Sequence, residues 1–178
     1  RGLGDVYKRQ HMESVGYDMY LKLLGEAVSE EKGEAAQSAD LDCLIDISVN
    51  AHIPESYVES LTLRLDVYRR IADIRNKEDS LDVKDELKDR FGEIPESVLG
   101  LIDIALIRNC ANAMGIYEIR QTDTNVLLFV KEIKSPKVIE LLSRLNGRAM
   151  LSAGNKPYIT IRCGGGSSLD MLKKVFKI

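Results

Sequence analysis

Apolar and polar positions alternate along this chain with two different periods, and the change from one to the other divides it. From Ser60 to Gly115 the apolar residues recur at helical spacing, and beyond Gly115 they recur every second residue. The clearest helical stretch runs from Asp82 to Glu96. At about 100° per residue, Val83, Leu87 and Phe91 share one side and Asp82, Asp85, Glu86 and Asp89 the other, with Arg90 at the boundary. Phe91-Gly92 closes this helix, because Gly accepts the left-handed conformation of a helix C-terminus. Pro95-Glu96 opens the next, because the missing Pro N–H is unpaired in a first turn anyway.

The same period predicts further elements. Tyr17, Tyr20, Leu21, Leu24 and Val28 form the stripe of an amphipathic helix within 11–33, followed by a Glu-, Ala-, Gly- and Ser-rich linker at 34–40. Cys43, Ile45, Ile47 and Val49 alternate with polar residues as in a half-buried strand, and Ile53 to Tyr57 turns the chain. A helix from Ser60 to Asn76 carries two opposed apolar sides: Leu61, Leu65, Tyr68 and Ala72 against Leu63, Val67, Ile71 and Ile74. This predicts a helix sandwiched between layers. The helix after Pro95 is apolar nearly all round as far as Gly115, which marks a core element. Its Asp103 and Arg108 interrupt any membrane-spanning run.

In the second half, Ile116–Arg120 and Val126–Glu132 predict a hairpin, and Ser135-Pro136 starts a helix ending at Asn146-Gly147. Arg148–Ser152 and Tyr158–Cys163 predict two further strands, and a last helix covers Leu169 to Phe176. Helices first and strands afterwards predict an α+β fold: a helical N-terminal half followed by a small antiparallel sheet with packed helices. Residues 1–10 show neither period and are expected to be a tail or an expression remnant. The first residue is Arg rather than Met, so the chain is expected to be a piece of something longer.

Composition narrows the function classes. With 178 residues, 44% of them hydrophobic, the chain can bury a core. Its net charge of -3, with acids and bases mixed along the sequence, argues against a broad basic stripe, so nucleic acid is not the default partner. Cys43, Cys110 and Cys163 are too few and too scattered for a disulfide framework, which suits reduced thiols in a cytoplasmic protein. His11 and His52 are the only histidines. No apolar run approaches the roughly 20 residues of a membrane helix.

Catalytic motifs are absent: no phosphate loop, no dinucleotide fingerprint, no His-Glu-x-x-His and no Cys-x-x-Cys. Two segments remain as candidate binding sites. Gly164 to Ser168 could hold an anion on backbone N–H groups at a helix N-terminus, although glycine-serine runs are ordinarily capped connectors. The charged face around Glu86 is either a solvated surface with an ordinary Glu86–Arg90 pair or a docking face, and periodicity does not choose between them.

Four stretches resemble one family. Gly16 to Tyr20 with Leu23 to Val28, Ala51 to Tyr57, Arg64 to Ala72, and Glu86 to Pro95 together resemble the C-terminal regulatory domain of bacterial transcription-repair coupling factors, which are ATP-driven DNA translocases. The resemblance covers about residues 11 to 178 and is closest up to Gly115. It implies that 11–33 is the helix leaving a motor lobe, and that 41–178 is a regulatory domain without catalytic, cofactor-binding or metal residues. ATP and Mg would then belong to the full-length protein, together with its partners RNA polymerase, UvrA and double-stranded DNA. It also implies intramolecular docking onto an N-terminal UvrA-binding module, through the positions matching Glu86, Asp89 and Arg90.

Overall fold

A computed structural model of the chain describes residues 43–178. The tail at 1–10, the helix within 11–33 with its Gly16 to Val28 motif, and the linker at 34–40 lie outside the described residues. In chain order the elements are β1 (Leu44–Asp46), α1 (Leu61–Ala72), α2 (Lys77–Phe91), α3 (Glu96–Ala113), β2 (Ile116–Gln121), β3 (Asn125–Val130), α4 (Pro136–Leu145), β4 (Ala149–Ser152), β5 (Tyr158–Arg162) and α5 (Ser168–Phe176). The fold is α+β. Its described residues form two compact units, Val49–Ala105 and 43–48 with Leu106–Ile178, and α3 begins in the first and ends in the second.

In the first unit α1 and α2 each start on a polar cap. The Ser60 hydroxyl accepts from the Leu63 N–H at 3.5 Å, and the Asn76 side chain accepts from the Asp79 N–H at 2.9 Å. The Asp79 carboxylate in turn reaches back to the Arg75 N–H at 2.8 Å. Asn76 therefore opens α2 instead of extending α1, which stops at Ala72. The expected double-sided packing of α1 is also corrected. Val67 and Ile71 are buried, but Leu61 and Leu63 are 63% and 38% exposed, because the first turn of the helix extends beyond the core. On the other side Tyr68 forms a polar seam, its hydroxyl accepting from the Ile53 N–H at 2.9 Å.

The packed side of α2 is as the period predicts, with Val83 and Leu87 buried and Phe91 half-buried. Gly92 ends the helix at φ 83, ψ -154, a conformation open essentially to glycine alone. Pro95 then provides the first acceptor of α3, taking the Leu99 N–H at 3.1 Å, and Val98, Leu101, Ile102, Ile107 and Ala111 are fully buried along that helix.

In the second unit the strands lie in the order β1-β2-β3-β5-β4. Cys43, Ile45 and Ile47 are buried while Leu44 and Asp46 are exposed, the alternation expected of the first strand. Its direction corrects the antiparallel expectation: β1 runs parallel to β2, so the sheet is mixed. Alternation shows which face a residue occupies but carries no information about which strand pairs with which. Here α1 to α3 provide the long connection that a parallel pair requires. The β2–β3 hairpin and the left-handed Asn146 that ends α4 stand where the sequence places them, and Ser167 caps α5, although the Ser135 hydroxyl makes no capping bond.

Charge follows the units. The first has eight Lys and Arg against thirteen Asp and Glu, a net charge of -5. The described residues of the second have twelve against six, a net charge of +6.

Candidate functional site

Three of the sequence blocks that carry the resemblance meet in the first unit, and side chains of the turn and of α1 hold them there. Tyr57, at the end of the Ile53–Tyr57 turn, donates its hydroxyl to the Leu87 carbonyl at 3.1 Å, with the Gly92 carbonyl close by at 3.4 Å. Its ring meets Phe91 edge-on, with centroids 5.8 Å apart. Burial, and then the negative charge of Glu93, push the Tyr57 hydroxyl above its ordinary pKa. The corner where α2 ends is thus pinned from outside the helix, at the residues that carry the charged face.

On that face Glu86 is the hub. One carboxylate oxygen accepts from Arg90 at 2.8 Å, and the other accepts from the Arg70 Nε of α1 at 3.2 Å. The bond from Arg90 holds the Glu86 carboxyl below the usual carboxylate range, burial opposes this, and Arg70 adds to the lowering. Arg90 also lies 5.0 Å over the Phe91 ring. Phe91 therefore has two roles, packing against Tyr57 and supporting the guanidinium above it. Asp89 is exposed and makes no hydrogen bond or ion pair with the described residues.

The three sequence-predicted residues are therefore brought together but in different states. Glu86 is engaged on both oxygens, Arg90 is held at one end, and Asp89 is unengaged among the described residues. Exposed ion pairs contribute about 0–1 kcal/mol each, so this cluster adds little to stability. It does fix the direction of two guanidiniums and a carboxylate on a rigid corner. Arg70 and Tyr57 belong to the same arrangement, and neither was singled out from sequence. Both stand inside the motif blocks, but helix phase describes one helix at a time and cannot show a pair formed between two.

The second candidate segment, Gly164 to Ser168, borders a hollow in the second unit that Gln121, Asp123, Thr124, Asn125 and Arg162 also line. Gly164 and Gly165 take positive φ, and Ser167 caps α5 by accepting from the Asp170 N–H at 3.5 Å. The Asp123 carboxylate sits in the hollow with the Arg162 cation, which leaves no clear preference for an anion. Cys43, Cys110 and Cys163 form no disulfide among the described residues, and burial pushes the Cys110 thiol up. Among the described residues no group of three His, Cys, Asp or Glu could hold a metal ion, and no helix is long and apolar enough to cross a membrane.

Comparison with known proteins agrees with the blocks in this corner. The family model described as the TRCF domain matches residues 47–140, which include the turn, α1, α2 and α3. The chain is 31% identical over 184 residues to the transcription-repair-coupling factor of Bacillus subtilis (strain 168), covering 98% of this chain and 16% of that protein. It is 34% identical over 144 residues to that of Staphylococcus epidermidis, covering 79% of this chain and 12% of the relative. The chain thus spans about a sixth or less of the length of these curated relatives. Its fold is similar to the crystal structure of a C-terminal domain of transcription-repair coupling factor, with a TM-score of 0.67 and 18% identity over 76% of this chain and 88% of that one. The family match takes in more than half of the residues and every side chain of the Tyr57–Arg70–Glu86–Arg90 corner, and the chain belongs to the TRCF domain family.

Proposed function

We propose that this domain is a non-catalytic, autoinhibitory interaction domain of a transcription-repair coupling factor. It docks through Glu86, Asp89 and Arg90 onto the N-terminal UvrA-binding module of its own polypeptide and restrains the translocase until RNA polymerase is engaged. ATP hydrolysis with Mg, contact with double-stranded DNA, and recruitment of UvrA in the cytoplasm then belong to the full-length protein. The observation that supports the reading is the pinned corner: a charged cluster at a helix end, with Asp89 exposed and unpaired among the described residues and Glu86 held in one direction by two arginines.

Charges arranged in this way set register and specificity more than raw affinity. A restraint that must be released also needs only a modest difference in contact energy between the closed and open states. The test is binding of this domain to the isolated N-terminal module, followed by calorimetry. Binding is expected, weakened at least about tenfold by Glu86→Arg with Asp89→Arg, a loss of roughly 1.4 kcal/mol. Absence of binding by the unaltered domain, or equal binding by the charge-reversed one, would overturn the proposal.

A further inference from the structure

The sheet of the second unit has one packed face and one open face. Across the register, Ile45, Ile119, Leu128 and Ile159 are buried side by side. On the opposite face Leu44, Asp46, Arg120, Met150 and Arg162 are exposed, and Glu118, Leu127 and Tyr158 are half-buried, with Glu118 paired to Arg120.

Three aromatic rings occupy the middle of that open face. Phe129 lies 6.2 Å from Tyr117 and 5.4 Å from Tyr158, and Arg120 sits over it at 5.4 Å. A bulge brings Tyr117 there: the pairing with β3 shifts between Ile116 and Glu118, so that the extra residue adds its ring beside Phe129. Phe129 is only 9% exposed and supports the other two rings, which keep open surface.

Cations flank the rings at both ends. Arg162 stands on the same face of β5 as Tyr158, four residues along, a span of about 13 Å. At the other end, Lys131 follows Val130, and Lys156 precedes Pro157, whose carbonyl accepts from the Val130 N–H at 3.0 Å. The unit as a whole carries twice as many basic as acidic side chains among its described residues.

We infer that this face binds single-stranded nucleic acid, stacking bases on Tyr117 and Tyr158 and holding phosphates with Arg162 and the flanking lysines, while Arg120, paired with Glu118, supports the Phe129 ring. Aromatic rings accept any base on their π-faces, and the cations follow the backbone that joins the bases. A duplex fits poorly, since its major groove admits a helix or a two-stranded ribbon but not a five-stranded face. An acidic protein segment would use the cations and leave the rings idle.

Fluorescence anisotropy with short labelled oligodeoxyuridine and oligouridine, across a salt series, tests the inference on the chain as it stands. Binding to one or both is expected, and the preferred sugar identifies DNA or RNA as the source. Tyr158→Ala is expected to weaken binding about fivefold or more, while Tyr158→Phe, which keeps the ring, retains it. Arg162→Ala is expected to reduce the slope of log affinity against log salt by about 0.7. No binding at low salt overturns the inference. So does Tyr158→Ala binding like the unaltered chain, or a duplex or polyglutamate binding as tightly as the single strand.

Discussion

The two units differ in how they use charge, and the difference separates two kinds of surface. In the acidic unit carboxylates outnumber cations, and side chains pair with each other: Glu86 with Arg70 and Arg90, Glu93 with Lys88, Asp66 with Arg69. In the basic unit carboxylates are scarce; Arg120 pairs with Glu118, and other cations turn to main-chain carbonyls at helix ends. Lys137 donates to the Ala113 carbonyl at 2.7 Å, and Arg144 donates to that of Val175. Paired side chains on a pinned corner make a surface with a fixed pattern, suited to one protein partner. Cations beside open aromatic rings make a surface that tolerates many sequences. A whole-chain charge of -3 describes neither unit.

Substitutions can test this contrast, beginning with the cores on which both surfaces rest. Leu87→Ala in the acidic unit and Ile159→Ala in the basic one should each cost about 2–5 kcal/mol in urea unfolding, since both side chains are essentially fully buried. A much smaller loss at Leu87 would mean that the charged face of α2 is not backed by a packed one. Gly92→Ala comes next. No atom lies within 4 Å of the added methyl group, so the expected loss of about 1–3 kcal/mol is backbone strain alone. Docking should weaken with it if the corner has to be rigid. Tyr57→Phe removes the hydroxyl bond to Leu87 while keeping the ring on Phe91, and a loss of about 1 kcal/mol in thermal unfolding is expected.

The smallest effect is one of pH. The folded-state pKa of Glu86 lies below its unfolded value, so its contribution is present above the unfolded pKa of about 4.3 and is lost as pH falls through the folded one. Glu86→Gln should therefore cost a small amount of stability at neutral pH, where the contribution is present, and flatten the acid limb below about pH 4.3, so that the two chains converge in acid. An unchanged acid limb would mean that the arginines do not hold the carboxylate in solution.

Much of this fold is legible in the sequence, because periodicity and turn chemistry are local. The packed side of α2, the apolar α3, the β2–β3 hairpin and the Asn146-Gly147 stop of α4 each depend on residues within one or two turns of each other. The parallel pairing of β1 with β2 was not legible, nor was the exposed first turn of α1, since strand direction and the edge of a core depend on distant segments. The candidate site divides the same way. Helix phase groups Glu86, Asp89 and Arg90 on one helix, but the Arg70 contact and the Tyr57 bridge join residues that are neighbours only after folding.

By itself, the sequence determined the helical and strand segments, their caps and the absence of recognisable catalytic motifs, because those properties are set by neighbours along the chain. The tertiary structure decided which charges share a surface. Acids and bases are interleaved in the sequence, and folding sorts them into an acidic helical unit and a basic sheet unit. An electrostatic field is a sum over positions in space, and the chain order does not contain those positions.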